Sequence, residues 1–191
     1  MDEKILIEQL KQGDESAFRN IVDRWKELVY NTAISIVQNE QDAEDLSQDV
    51  FIQVYESIHT FKGDSKFSTW LYRITVTKAL DLLRKRKTKK RFAFVKSLFS
   101  ADNKIIVDPP DFNHPGIALD KKEHGAIMFK AIAKLPENQR IAFTLHKIEG
   151  LSHQEISEVM KNTVAAVESL VHRARTNLKN ILETFYREEM E

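Results

Sequence analysis

The sequence predicts an all-α protein: two small helical domains joined by a flexible linker, the C-terminal one containing a helix-turn-helix. Three observations predict it. Glycine and proline are scarce, 5 and 4 in 191 residues, which disfavours hairpin-rich sheets. Apolar side chains recur at three- and four-residue spacing along most of the chain. Pro109, Pro110 and Pro115 fall together in a stretch, roughly Phe92 to Gly116, that lacks helical periodicity. That stretch reads as an interdomain tether, with one domain over 1–91, the linker over 92–120 and a second domain over 121–191.

The first strong pattern puts Ala17, Phe18, Ile21, Val22, Trp25, Leu28, Val29, Ala33 and Ile36 on one helix face. A second helix is predicted from about Asp42 to about Ile58, with Ala43, Leu46, Val50, Phe51, Val54 and Tyr55 on its buried side. Its other face is acidic, because Glu40 to Glu56 holds six carboxylates and no Lys or Arg. FKGDSK, from Phe61 to Lys66, is a polar break. A third helix begins near Ser68 and carries Trp70, Leu71, Ile74, Leu80 and Leu83. It runs into Arg84–Arg91, where every residue but Thr88 is basic. The formal net charge is zero, yet charges so segregated suggest two charged partners on two faces.

After the linker, Ala126 to Lys134 reads as a short helix closed by Leu135-Pro136. Pro136 suits the start of the next helix, and Gly150 suits its end. Ser152-x-x-Glu155 is a capping box opening a helix whose Ile156, Val159 and Met160 face inward. Lys161-Asn162 makes a tight turn in which Asn takes the left-handed conformation. Thr163 then caps a longer helix with the buried stripe Val164, Val167, Leu170, Val171, Ala174, Leu178 and Ile181. A short helix, a tight turn and a long helix can place the second helix in the major groove. Ala165, Ala166, Glu168 and Ser169 would then meet base edges, and His172, Arg173, Arg175 and Lys179 the phosphates. Any helical hairpin has the same periodicity, so spacing alone leaves a protein-binding hairpin equally open.

The chain has no cysteine, which excludes disulfides, thiolate zinc sites and thiol catalysis. MDEKILIEQL is no signal peptide and no apolar run spans a bilayer, so a cytoplasmic location is expected. The six histidines are scattered, with no nucleophile–base pair or phosphate-cradling loop. An enzyme is therefore not expected, nor a metal, a cofactor or a small-molecule substrate.

LPENQRIAFTLHKIEGLSHQEISEVMKNTVAAVESLVHRARTNLKNIL resembles region 4 of bacterial sigma factors, which recognises the minus-35 promoter element. DAEDLSQDVFIQVYESIHTFKGDSKFSTWLYRITVTKALDLLRKRK resembles region 2, which grips RNA polymerase and opens the minus-10 element. Two such regions with little between them is the layout of the extracytoplasmic-function (ECF) sigma factors of the sigma-70 family. The resemblance implies that Asp42, Glu44, Asp45, Leu46, Gln48, Asp49 and Phe51 dock on core polymerase, a carboxylate ridge with apolar neighbours suiting an Arg-bearing partner. A solvated acidic face and a weak magnesium site are the other readings of those residues.

It implies further that the loop Phe61, Lys62, Gly63, Asp64, Ser65, Lys66 and Phe67 holds a base swung out of the minus-10 stack. Opening costs a few kcal/mol, which stacking and a cationic rim offset. Arg73 would lie near the strand. Trp70 and Leu71 read as core, and Phe67 stands between the two roles. Thr77 occupies a position where ECF proteins often carry Asn. Lys78, Arg84, Lys85, Arg86 and Lys87 would contact the duplex backbone in a salt-dependent way, or form a cationic helix end.

In the second motif Ser152 and Thr163 join the minus-35 set. Glu168 and Leu170 stand where many relatives place Lys or Arg. Glu168 would accept from a cytosine amino group, or else space out the basic residues. The family further implies an anti-sigma factor, often membrane-anchored; the tether itself would let the domains take a compact inactive form and an extended polymerase-bound one. A stand-alone operator binder would leave the acidic helix and the aromatic-basic loop unexplained.

Overall fold

The computed structural model describes residues 2–98 and 122–188, which form eight α-helices and no strand. In the first half, α1 (Glu3–Lys11), α2 (Glu15–Val37), α3 (Glu40–Ser57) and α4 (Phe67–Leu98) pack around Ile21, Val29, Ile36, Val50, Val54, Phe67 and Leu71. Each fully buried side chain of this kind contributes roughly 1.5–3 kcal/mol. The helix starts follow local chemistry. Asp14 Oδ1 accepts from the Ser16 and Ala17 amides at 2.7 and 3.4 Å, and Asn39 Oδ1 accepts from Asp42 N at 2.9 Å. Each satisfies amides that the first turn leaves unbonded. Gln38 ends α2 in the left-handed region, φ 58°.

In the second half, α5 (Lys122–Ala133) and α6 (Glu137–Phe143) precede a π-helical turn, Thr144–Ile148. Gly150 follows at φ +73°, as a helix end requires. Then come α7 (His153–Met160) and α8 (Val164–Glu188). Arg140 is buried, and its guanidinium donates to Ala133 O at 3.2 Å, closing the end of α5. Ser152 accepts from Glu155 N at 3.2 Å while Glu155 accepts from Ser152 N at 3.0 Å, completing the capping box.

Three expectations need correction, and one helix was not anticipated. α1 carries Leu6, Ile7 and Leu10 into the core, although its short apolar run lies ahead of the first strong pattern. Residues 92–98 continue α4 as helix, because nothing in that run breaks it; the rest of the expected linker lies outside the described residues. Lys161, not Asn162, adopts the left-handed turn conformation, φ 51°. Tyr55 is 44% exposed, since Val50 and Val54 already occupy the core-facing side of α3.

The two halves touch. α7 lies along α4, and one continuous apolar cluster runs from the first bundle through Leu145, Leu151, Ile156 and Val159. No helix among the described residues is long and apolar enough to cross a membrane.

Candidate functional site

Three charged surfaces stand out. The first is the solvent face of α3, where Glu44, Asp45, Gln48 and Asp49 are exposed. Asp42 is half-buried and paired with Arg86 of the basic block, so that pair is spent on holding α4 to α3. Leu46 and Phe51, expected at a partner interface, face inward with the core. They shape the ridge from behind. Ile52, 55% exposed, lies one turn beyond Gln48 and Asp49 and was missed. Tyr55 follows it, its ring edge-on to Phe18 at 5.2 Å. The signal was an apolar residue in helical register with the acidic ones rather than with Val50 and Val54.

The second surface is the loop before α4. Phe67 is fully buried and Phe61 is 8% exposed. Their rings meet edge-to-face at 5.4 Å, and Phe67 meets Trp25 at 4.9 Å and Trp70 at 5.6 Å. Neither phenylalanine offers a stacking face in this structure, whereas the resemblance set both beside a flipped base. They clamp the ends of a loop whose Lys62, Gly63, Asp64 and Lys66 project, with Ser65 half-exposed. Gly63 has φ +81°, so a side chain there would be strained. Thr77 is exposed but its hydroxyl donates to Arg73 O at 2.8 Å. Lys78 is half-buried, Lys85 is exposed, and Arg84 pairs with Asp81 at 3.1 Å.

Much of this second surface is occupied by the other half of the chain. Lys66 Nζ pairs with Glu155 at 2.8 Å, Arg73 donates to Glu158 O at 2.9 Å, and Lys87 pairs with Glu137 at 2.8 Å. Tyr72, which nothing in its sequence surroundings singled out, donates its hydroxyl to Glu149 Oε2 at 2.9 Å. Burial pushes the Glu149 carboxyl above the usual carboxylate range, and the bond from Tyr72 offsets this only in part. Burial and the adjacent carboxylate push the Tyr72 hydroxyl up. Hydrogen bonds from Lys66 and Ser152 hold Glu155 down at about 2. Exposed ion pairs contribute little; a part-buried hydrogen bond contributes about 0.5–1.5 kcal/mol. Tyr72–Glu149 is therefore the stronger clasp and Lys66–Glu155 the rim.

The third surface is the helix-turn-helix. Thr163 Oγ1 accepts from Ala166 N at 3.2 Å, so its hydroxyl caps α8, as that of Ser152 caps α7. On the outer face of α8, Ala165, Glu168 and His172 are exposed, and Ala166 and Ser169 half-exposed. Arg173, Arg175 and Lys179 are exposed too, but they divide. Arg175 and Lys179 flank a groove with the apolar residues Met128, Phe143, Leu178 and Leu182, whereas Arg173 stands on the opposite shoulder of the helix. Among the described residues no three acidic or histidine side chains are grouped to hold a metal ion.

Comparison with known proteins agrees with this geometry. Residues 21–89 match the family description "Sigma-70 region 2" and residues 126–178 match "Sigma-70, region 4". The RNA polymerase sigma-H factor of Pseudomonas aeruginosa is 33% identical over 187 residues, covering 96% of this chain and 95% of that protein. The ECF RNA polymerase sigma-E factor of Escherichia coli K12 is 30% identical, covering 98% and 97%. Among solved structures, a chain from the complex of CnrH with the cytosolic domain of CnrY superposes with a TM-score of 0.69 at 26% identity. The match covers 95% of this chain and 97% of that one. A chain from the Bartonella quintana complex of the sigma factor RpoE with the anti-sigma factor NepR, 23% identical, shares the fold at a TM-score of 0.67, covering 87% and 96%.

Proposed function

The chain belongs to the sigma-70 family, in its ECF branch, whose members are transcription factors and not enzymes; from that premise we propose how its three surfaces divide the work. The ridge Glu44, Asp45, Gln48 and Asp49, extended by Ile52, docks on core RNA polymerase, its carboxylates meeting cations and its apolar end supplying buried contact. The loop from Lys62 to Lys66, with Arg73, Thr77, Lys78, Arg84 and Lys85, takes the melted minus-10 strand and its flanking duplex, while Arg86 stays paired with Asp42. The outer face of α8 reads the minus-35 element, with α7 crossing the backbone beside it. One domain spans 1–91 and the other 121–191, with α4 running past the first boundary to Leu98.

The closed arrangement is the inactive form. The observation that carries this is the occupation of Lys66 and Arg73 by α7, because cations already paired are not available to phosphates. Release needs the halves to separate, which the polymerase-bound form provides. An anti-sigma protein holds the closed form in the cell, which is consistent with CnrH having been solved with the cytosolic domain of CnrY. We place the chain in the cytoplasm, with a membrane-anchored anti-sigma factor as its holder.

Transcription in vitro with core polymerase and genomic promoters tests the reading. Promoter-specific initiation that depends on this chain is expected. Operator binding of equal strength with and without polymerase would overturn it.

A further inference from the structure

We infer that His153 is a positioning residue for Glu168, and that together they set the base preference at one position of the minus-35 element. This rests on the reading of α8 as the recognition helix. His153 is the first residue of α7, and its ring lies against His146 with centroids 4.5 Å apart. His146 is itself held: its Nδ1 lies 2.9 Å from Leu151 O, and since a carbonyl only accepts, the imidazole donates. His146 therefore forms a fixed wall behind His153.

The two nitrogens of His153 are in opposite situations. Nε2 is sealed from solvent and has no hydrogen-bond partner among the described residues. Nδ1 lies 3.6 Å from Glu168 Oε1. A lone pair on Nδ1 would face the Glu168 carboxylate and be repelled by it, whereas a proton there is attracted. The neutral ring therefore carries its proton on Nδ1, the edge that faces the carboxylate. At 3.6 Å this is electrostatic steering rather than a formed hydrogen bond, and a small torsional movement closes it.

Glu168 has what a base reader needs except rigidity. It projects from the outer face of α8 and is 58% exposed, and a carboxylate accepts from the cytosine amino group in the major groove. A free glutamate side chain must lose rotamer freedom to do so. A donor held at His153 biases the carboxylate towards α7 before DNA arrives, and so selects which base edge it meets. An exposed pair of this kind adds little stability, so the expected consequence is a change in specificity.

The test uses the full chain in holoenzyme reconstituted with core polymerase, on promoters in which each minus-35 base is varied in turn. Glu168→Ala should erase the preference at one base pair. His153→Ala should weaken it at the same pair by about three- to tenfold, less than the loss of the whole base contact, and leave the others unchanged. His153→Asn, whose amide nitrogen stands near the place of Nδ1, should restore it, and His153→Ala should add nothing in a Glu168→Ala background. An equal loss on every promoter, or a shift that persists without Glu168, overturns the inference. If Glu168→Ala leaves every preference unchanged, the inference also falls, while promoter-specific initiation by the unmodified chain still supports the sigma-factor reading.

Discussion

An aromatic residue beside a basic loop reads in sequence either as a stacking surface or as a core anchor, and side-chain type does not separate the two. Burial does. Phe67, enclosed by Trp25, Phe61 and Trp70, is a core residue, so Phe67→Ala should lower stability by about 3–5 kcal/mol, read from the denaturant midpoint. A loss below about 1 kcal/mol would return it to the surface. Glu149 makes a pH prediction. Its carboxyl is raised in the closed form, so the protonated state is favoured there; its contribution to closure is full below the ordinary value near 4.5 and fades as pH rises through the raised one. Glu155 is lowered to about 2 and works the other way, its contribution present above 4.5 and lost as pH falls towards 2. Part of that lowering comes from Ser152 within its own capping box and survives opening. As pH falls from 7 towards 4.5, the closed fraction measured by fluorescence transfer between probes on the two halves should therefore rise, and Glu149→Gln should flatten the rise. A rise that is unchanged in Glu149→Gln would assign the effect elsewhere.

At the scale of elements, α3 shows how periodicity succeeds and where it stops. Val50 and Val54 were legible as core and Glu44, Asp45, Gln48 and Asp49 as surface. Leu46 and Phe51 were legible as core from the same periodicity; only the resemblance assigned them to the docking face as well. The double substitution Asp45→Lys with Asp49→Lys should abolish core polymerase binding with the helical signal in circular dichroism intact. Ile52→Asp, removing the apolar end of the ridge, should weaken binding about tenfold or more, the effect of removing one buried anchor; equal affinity would take Ile52 out of the interface. On α8 the division of the basic residues predicts unequal effects. Arg173→Ala should reduce the salt slope of promoter binding by about one, whereas Arg175→Ala, beside the apolar groove, should leave the slope nearly unchanged. Equal slopes for the two variants would count against that division.

At the scale of the whole molecule, closure decides availability. Lys66→Glu should open the halves, because it sets two carboxylates against each other. Combining it with Glu155→Lys should close them again by re-forming the pair with its charges exchanged. Scattering or interprobe distances would report both. An unchanged distance in Lys66→Glu would show that the rim pair plays no part and that Tyr72, Arg73, Lys87 and the shared apolar cluster hold the closed form.

The sequence by itself determined the helical class, the two-part layout, the helix-turn-helix with its caps at Ser152 and Thr163, and the acidic and basic faces. These are local properties, set by spacing within one or two helical turns. The tertiary structure alone decided that Phe61 and Phe67 are buried, that Tyr72 meets Glu149 across 77 residues, and that α7 covers Lys66 and Arg73. Which surface of one helix meets another depends on packing between segments distant in the chain, and no periodicity within either segment encodes it. The helix-turn-helix was legible from residues 151 to 179; that its first helix also covers Lys66 and Arg73 was not.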